Sequence, residues 1–257
     1  MIKRFFLPPQ KSLELLPEKK LSIQGELFDH IVKSMRMREG DKLILLDGEG
    51  SRSKGRIENI SHSPEKVEIK LLNVEKSSEN EPETDIYLAQ ALAKKDKVET
   101  VLQKGTEIGV RGFIPFTSRH TVVKLNEKKK KKRWRRWRKI IKEAARQSER
   151  DIIPELKPLH SLKDFVKLAP EYDTICLALA REARYSIKDL VDEETIKSGD
   201  RLLLTVGPEG GFSDSEVKQM LAVEGCYDLG VGPRIMRTET AGPLISGIIL
   251  HELGEMQ

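Results

Sequence analysis

From Thr84 onward, short apolar runs alternate with helical segments, and this alternation constrains the fold more than any other feature of the chain. Ile86 to Leu92 is an apolar run of strand length. Val98, Val101, Leu102, Gly105 and Ile108 then recur at helical spacing, and Gly109 sits where a C-terminal cap belongs. Gly112 to Phe116 reads as the next strand. Thr174 to Ala180, Leu202 to Val206 and Tyr227 to Val231 follow, with helical stretches between them. Strands separated by helices predict an α/β unit with a mostly parallel sheet covered on both faces. In such sheets ligands bind beyond the carboxyl ends of the strands. The loops after Val206 and Val231 are therefore the ones to inspect.

The first 75 residues read differently. Ile2 to Leu7, Lys42 to Asp47, Ser53 to Ile60 and Lys66 to Val74 are short strand candidates, broken by turn signals such as Asp47-Gly48-Glu49-Gly50. One helix is predicted near Gly25 to Met35. Closely spaced short strands predict a small β-barrel over residues 1–75. Residues 76–83 carry no apolar side chain and read as a linker, leaving residues 84–257 for the α/β unit.

Composition narrows the function classes. Charged residues make up 34% of the 257 residues, above the usual quarter, and the net charge is +5. Much of the excess lies between Lys128 and Arg146, where Glu143 is the sole acidic residue. Trp134, Trp137, Ile141, Ala144 and Ala145 share one stripe of that helix, so the tryptophans read as core anchors and the cations as the opposite, polyanion-binding face. The two cysteines, Cys176 and Cys226, and the five histidines show no metal-ligand spacing. No metal is expected, and the cysteines read as reduced core thiols. No apolar run reaches the ~18 residues of a membrane span. The N-terminal residues lack a signal-peptide core, so a soluble cytoplasmic protein is expected.

Two motifs carry chemistry. Gly207-Pro208-Glu209-Gly210-Gly211-Phe212-Ser213 follows a strand, and its glycines allow close backbone approach to a ligand. Ser213 or Asp214 then caps a helix from Ser215 to Glu224. The same segment also reads as an ordinary glycine-rich strand-to-helix turn. It lacks the spacing of a dinucleotide fingerprint and the Gly-Lys-Ser/Thr of a P-loop. The second motif, Val231 to Ala241, places Arg234 and Arg237 before an apolar helix that runs through Leu250. Arginines at a helix N-terminus suit a carboxylate or phosphate, and capping with surface ion pairs explains them equally.

Five blocks in order then resemble the bacterial small-subunit ribosomal RNA (uracil-N3) methyltransferases, of the SPOUT class. They are His30–Arg36 with Glu39-Gly40-Asp41; Gln90–Lys97; Gln103–Val110; Glu143–Ser148 with Arg150; and the two glycine loops. Val231 and Met236 stand where the family has leucines, and His120 stands where it usually has an arginine, with Arg119 beside it.

The resemblance implies an N-terminal PUA-like RNA-binding barrel and a C-terminal domain with a deep trefoil knot. It implies S-adenosylmethionine as cofactor and 16S ribosomal RNA, in the assembled small subunit, as substrate. It further implies a homodimer. The cofactor is expected at Leu179, Ala180, Val206, Gly207, Pro208, Glu209, Gly210, Gly211, Leu229, Gly230, Val231, Gly232, Arg234, Ile235, Met236 and Arg237. Arg237 and Arg150 are candidates for stabilising charge on the uracil oxygens, and Glu209 or Glu239 for taking the N3 proton. RNA contacts are expected from Arg4, His30, Arg36, Arg119, His120, Lys128, Lys129, Lys130 and Arg133. The competing readings are a ribose 2′-hydroxyl methyltransferase, a non-catalytic ribosome-binding factor and a nicotinamide dehydrogenase. The missing fingerprint argues against the last.

Overall fold

The computed structural model describes residues 2–8, 20–77, 79–123 and 125–256, apart from the Val166 side chain. Residues 9–19 of the expected barrel and Ser78 of the expected linker lie outside the described residues. The chain forms two compact units, Met1–Glu81 with Ala145–Ile153, and Pro82–Ala144 with Pro154–Gln257.

The smaller unit contains β1 (Lys3–Phe6), β2 (Lys20–Ile23), α1 (Glu26–Phe28) running into a π-helical turn at Asp29–Ser34, β3 (Lys42–Leu46), β4 (Ser51–His62) and β5 (Glu65–Lys76). The strands form one sheet in the order β1-β3-β4-β5-β2, with β1 parallel to β3 and the other pairs antiparallel. The alternation of side chains along each strand sorts the two faces. Leu43, Leu45, Ile57, Val67, Ile69 and Leu71 point inward with Phe5, Phe28 and Ile31 into one buried cluster. Strand β2 is only four residues long, too short for its alternation to announce it.

Ala145–Ile153 belongs to this unit rather than to the α/β unit expected from the sequence. Its contacts explain why. Ala145 packs with Phe6 and Leu46, and Ile152 bridges to Gly48 and Glu49. Asp151, fully buried, takes ion pairs from Arg4 and Arg52.

The larger unit contains β6 (Asp85–Ala91), α2 (Lys97–Ile108), β7 (Gly112–Thr117), α3 (Glu127–Gln147), β8 (Glu155–Leu156), β9 (His160–Ser161), α4 (Phe165–Leu168), β10 (Thr174–Ala178), α5 (Ile187–Asp192), β11 (Arg201–Val206), α6 (Asp214–Leu221), β12 (Cys226–Leu229) and α7 (Thr238–Glu252). Its sheet runs β12-β10-β11-β6-β7-β8, with β9 also on β7, and every pairing is parallel. From Ile86 to Ala91, β6 is buried at every position, as a strand covered on both faces must be. Gly109 ends α2 in the left-handed region at φ 117, and a Cβ there would lie 2.6 Å from Pro82. Helix α7 packs on α2 and crosses β6 and β11, at a distance that glycine sets: a Cβ on Gly242 would sit 2.9 Å from Leu88.

Trp137, 1% exposed, is buried, with Trp134 against it at 4.9 Å between ring centroids. The pair anchors α3, while Arg136 on its charged side pairs with Glu99 of α2. Burial pushes the thiols of both Cys176 and Cys226 up to about 12, which leaves them inert at neutral pH. Among the described residues, no helix is long and apolar enough to cross a membrane and no cluster of potential metal ligands occurs.

Candidate active site

Strands β10, β11 and β12 end side by side at Ala178, Val206 and Leu229. The loops that leave them, with the first turns of α7, enclose a cavity of about 370 Å³, within the size range of small-molecule sites. Its wall includes Leu179, Ala180, Val206, Gly207, Pro208, Glu209, Gly211, Val231, Gly232, Arg234, Ile235, Met236 and Arg237. All were singled out from the sequence. Lys97, Ala178, Phe212, Thr238, Ala241 and Ile245 also line it, and sequence reasoning missed them. The α7 residues were legible as a helix but not as a wall, because only the crossing over β6 and β11 turns that face inward.

Gly210, Leu229 and Gly230 are not part of the wall. Leu229 is fully buried at the end of β12 and pairs with Ala178. The Gly230 N–H bonds the Tyr185 carbonyl at 2.9 Å. Gly210 faces His120: a Cβ there would lie 3.1 Å from the histidine Cβ. Its neighbour Gly211 has φ +67, which favours glycine, and its N–H closes a turn onto the Pro208 carbonyl at 2.9 Å.

Three polar ties fix this loop. Thr238, the first residue of α7, donates to the Gly207 carbonyl at 2.6 Å and accepts from Gln90 Nε2 at 2.9 Å. Gln90 is 2% exposed, so the chain runs through the protein interior from β6 to the loop. Second, Lys97 Nζ lies 3.3 Å from both Glu209 and Glu239 and so joins α2, the loop and α7. Partial burial of Glu209 favours its neutral form, but N–H donation from its own backbone and from Lys94, together with the Lys97 ammonium, outweighs this and holds it below the usual carboxylate range. Lys97 is correspondingly raised: burial opposes its charge, and the two carboxylates overcome that.

The third tie is His120. Its Nδ1 lies 3.0 Å from the Gly210 carbonyl and 3.2 Å from that of Gly211. Two carbonyl acceptors require Nδ1 to carry the hydrogen. The adjacent Arg119 N–H donates to Glu216 at 2.7 Å. Glu216 also closes the capping box with Ser213 that starts α6. Burial raises the Glu216 pKa, but the donors from Ser213 and Arg119 prevail, and the carboxyl titrates below its ordinary value.

The remaining candidates divide clearly. The side chain of Arg237 is 82% exposed at the cavity rim and lies 3.9 Å from Glu239. Arg150 sits in the smaller unit, 3% exposed, and clasps Glu81 through Nη2 at 2.6 Å and Nε at 3.1 Å. Its guanidinium is engaged by that buried pair and is not among the residues that line the cavity. Arg4 is likewise paired with Asp151. His30 is half-buried, edge-on to Phe5 at 5.4 Å. Arg36 is exposed with φ 52. Arg119, Lys128 and Lys129 are exposed, while Lys130 and Arg133 are half-buried on α3.

An RNA methyltransferase domain matches residues 79–250. The chain belongs to the RNA methyltransferase family. An RNA methyltransferase PUA domain matches residues 23–72, which fall in the smaller unit. The chain is 36% identical to ribosomal RNA small subunit methyltransferase E of Bacillus subtilis, over 93% of both chains. It is 31% identical to the protein of the same name from Aquifex aeolicus, over 73% of this chain and 77% of that one. Among solved structures it resembles a Legionella pneumophila methyltransferase in complex with the bound cofactor SAM, at TM-score 0.84 and 28% identity over 98% of both chains. It also resembles ribosomal RNA small subunit methyltransferase E of Neisseria gonorrhoeae bound to S-adenosyl methionine, at TM-score 0.84 and 25% identity over 98% of both.

Proposed function

We propose that this RNA methyltransferase moves a methyl group from S-adenosylmethionine to N3 of one uridine in small-subunit ribosomal RNA. The observation that carries the reading is the cavity at the ends of β10, β11 and β12, walled by both glycine loops. Its chemistry fits the cofactor. Ala178, Leu179, Val206, Ile235 and Ile245 offer an apolar slot for a purine, and Lys97, Arg234, Arg237 and Glu209 offer both signs of charge to an amino-acid end. When bound, the cofactor supplies an electrophilic methyl group on a sulfonium.

The chain's own residues do the rest. The ties to Gly207, Glu209 and Gly210 hold the loop rigid, so that reacting atoms can be kept near ~3–3.5 Å and aligned. In this reading the exposed Arg237 guanidinium holds negative charge on the uracil oxygens as N3 loses its proton. Glu209 or Glu239, joined by Lys97, receives that proton. N3 lies on the pairing edge, so the uridine must be unpaired or turned out of its stack. The full reading includes a trefoil-knotted larger unit, a cytoplasmic homodimer and the assembled small subunit as substrate. The partly exposed Leu244 on α7 suits a two-fold contact.

The test has two arms. Calorimetry with S-adenosylmethionine should give one site per chain, and a strain lacking the gene should regain reverse-transcriptase read-through at one uridine. No cofactor binding, or unchanged read-through, contradicts the reading.

A further inference from the structure

The outer face of the smaller unit's sheet carries a row of cations that no turn or core requirement explains. Lys42 on β3 stands directly opposite Arg56 on β4, Arg56 opposite Lys70 on β5, and Lys70 opposite Lys20 on β2. Residues opposite one another across strands share a face, with Cβ atoms ~5 Å apart. Lys54 lies two residues from Arg56 along β4 and so points the same way. The inward neighbours Leu43, Ile57, Ile69 and Leu71 are buried, which confirms that the row faces outward.

Like charges placed opposite each other destabilise a sheet. The other end of the same face shows how this fold neutralises a cation when it needs to. There Arg52 is met by Glu75 at 2.7 Å, Glu79 at 3.0 Å and Asp151 at 3.7 Å, beside the apolar patch of Phe6, Leu46 and Ala145. Along the row, Lys20 alone has a carboxylate, Glu58 at 2.7 Å. Among the described residues, Lys42, Lys54, Arg56 and Lys70 enter no ion pair. Lys42, Lys54 and Arg56 are exposed.

We propose that Lys42, Lys54, Arg56 and Lys70 form a docking face for the sugar-phosphate backbone of the RNA substrate. A line of phosphates supplies the regularly spaced negative charge that the row lacks. Contacts of this kind fix register and orientation without reading sequence. The proposal rests on the rRNA-methyltransferase reading and extends it to a surface apart from the cofactor cavity.

The test compares wild type with the triple variant Lys42→Gln, Arg56→Gln, Lys70→Gln. Binding to purified small-subunit ribosomal RNA is measured across a salt series. Each lost phosphate contact lowers the slope of log K against log salt by ~0.7 to ~0.9, so the triple variant should lose about two to three units of slope. Its Tm should hold or rise, because like-charge repulsion is relieved, and S-adenosylmethionine affinity should not move. The single variant Lys54→Gln should lower the slope by somewhat under one unit and guards against a fold defect in the triple. An unchanged slope and affinity would overturn the proposal. So would a triple variant that keeps RNA binding but loses binding to anionic phospholipid vesicles, since the face would then serve a membrane. Failure of wild type to methylate the subunit would count against the methyltransferase reading alone, because the salt slope is measured without transfer.

Discussion

Thr238→Val removes one hydroxyl while keeping the side-chain shape, and that hydroxyl is the middle of the chain from Gln90 to Gly207. The wild-type group donates to the Gly207 carbonyl at 2.6 Å and accepts from Gln90 Nε2 at 2.9 Å. Gln90 Nε2 keeps a second acceptor, the Ala91 carbonyl at 3.1 Å, so its loss is partial. The carbonyl of the buried Gly207 loses its threonine donor. A stranded buried acceptor costs about 1–3 kcal/mol, and the second lost bond adds about 1 kcal/mol. The expected destabilisation is about 2–4 kcal/mol, a Tm fall of roughly 5 °C or more. Gly207 and Thr238 both line the cavity, so S-adenosylmethionine affinity should weaken by about tenfold, or ~1.4 kcal/mol. Calorimetric titration and thermal melts read the two effects, and Thr238→Ser, which restores the hydroxyl, should recover both. A Thr238→Val protein with wild-type Tm and wild-type affinity would refute the claim that this chain positions the loop.

Three further outcomes are expected. His120→Asn keeps a donor at the Nδ1 position and should retain cofactor affinity, whereas His120→Ala should lose it severalfold; equal affinity in both would remove His120 as the tie to Gly210 and Gly211. The Glu216 carboxyl is depressed below its ordinary 4.5, so its stabilisation is present above that pH and is lost as pH falls through the folded-state value. Wild type should therefore lose more Tm between pH 5 and pH 3 than Glu216→Gln, and parallel curves would refute this. Replacing Lys128 to Lys132 by Gln should flatten the salt dependence of RNA binding without moving cofactor affinity, and an unchanged slope would return the run to solvated surface.

The larger unit was legible because its strands are buried on both faces and its helices are not. Ile86 to Leu92 and Leu202 to Val206 announce themselves as apolar runs, and the glycine loops follow β11 and β12 at the predicted ends. What stayed hidden depends on contacts distant in sequence. Ala145–Gln147 form the last turn of α3 and the chain then leaves the helix, and nothing in the helical period marks that Phe6, Leu46 and the buried Asp151 draw Ala145–Ile153 into the smaller unit. Arg150 matched a motif, yet its charge is spent on Glu81, a partner 69 residues away. Lys97 sat inside a recognised block without looking special. Its role emerges from two carboxylates brought in by a loop and a helix. Gly210 looked like a residue for close cofactor approach, and the structure turns it toward His120 instead.

The most direct measurement is nucleoside mass spectrometry of small subunits from a strain lacking the gene, after incubation with the purified protein and S-adenosylmethionine. A single new 3-methyluridine per small-subunit RNA, absent without the protein, is the predicted result. A ribose 2′-O-methylated nucleoside in its place, or no methyl incorporation while the cofactor binds, would contradict it.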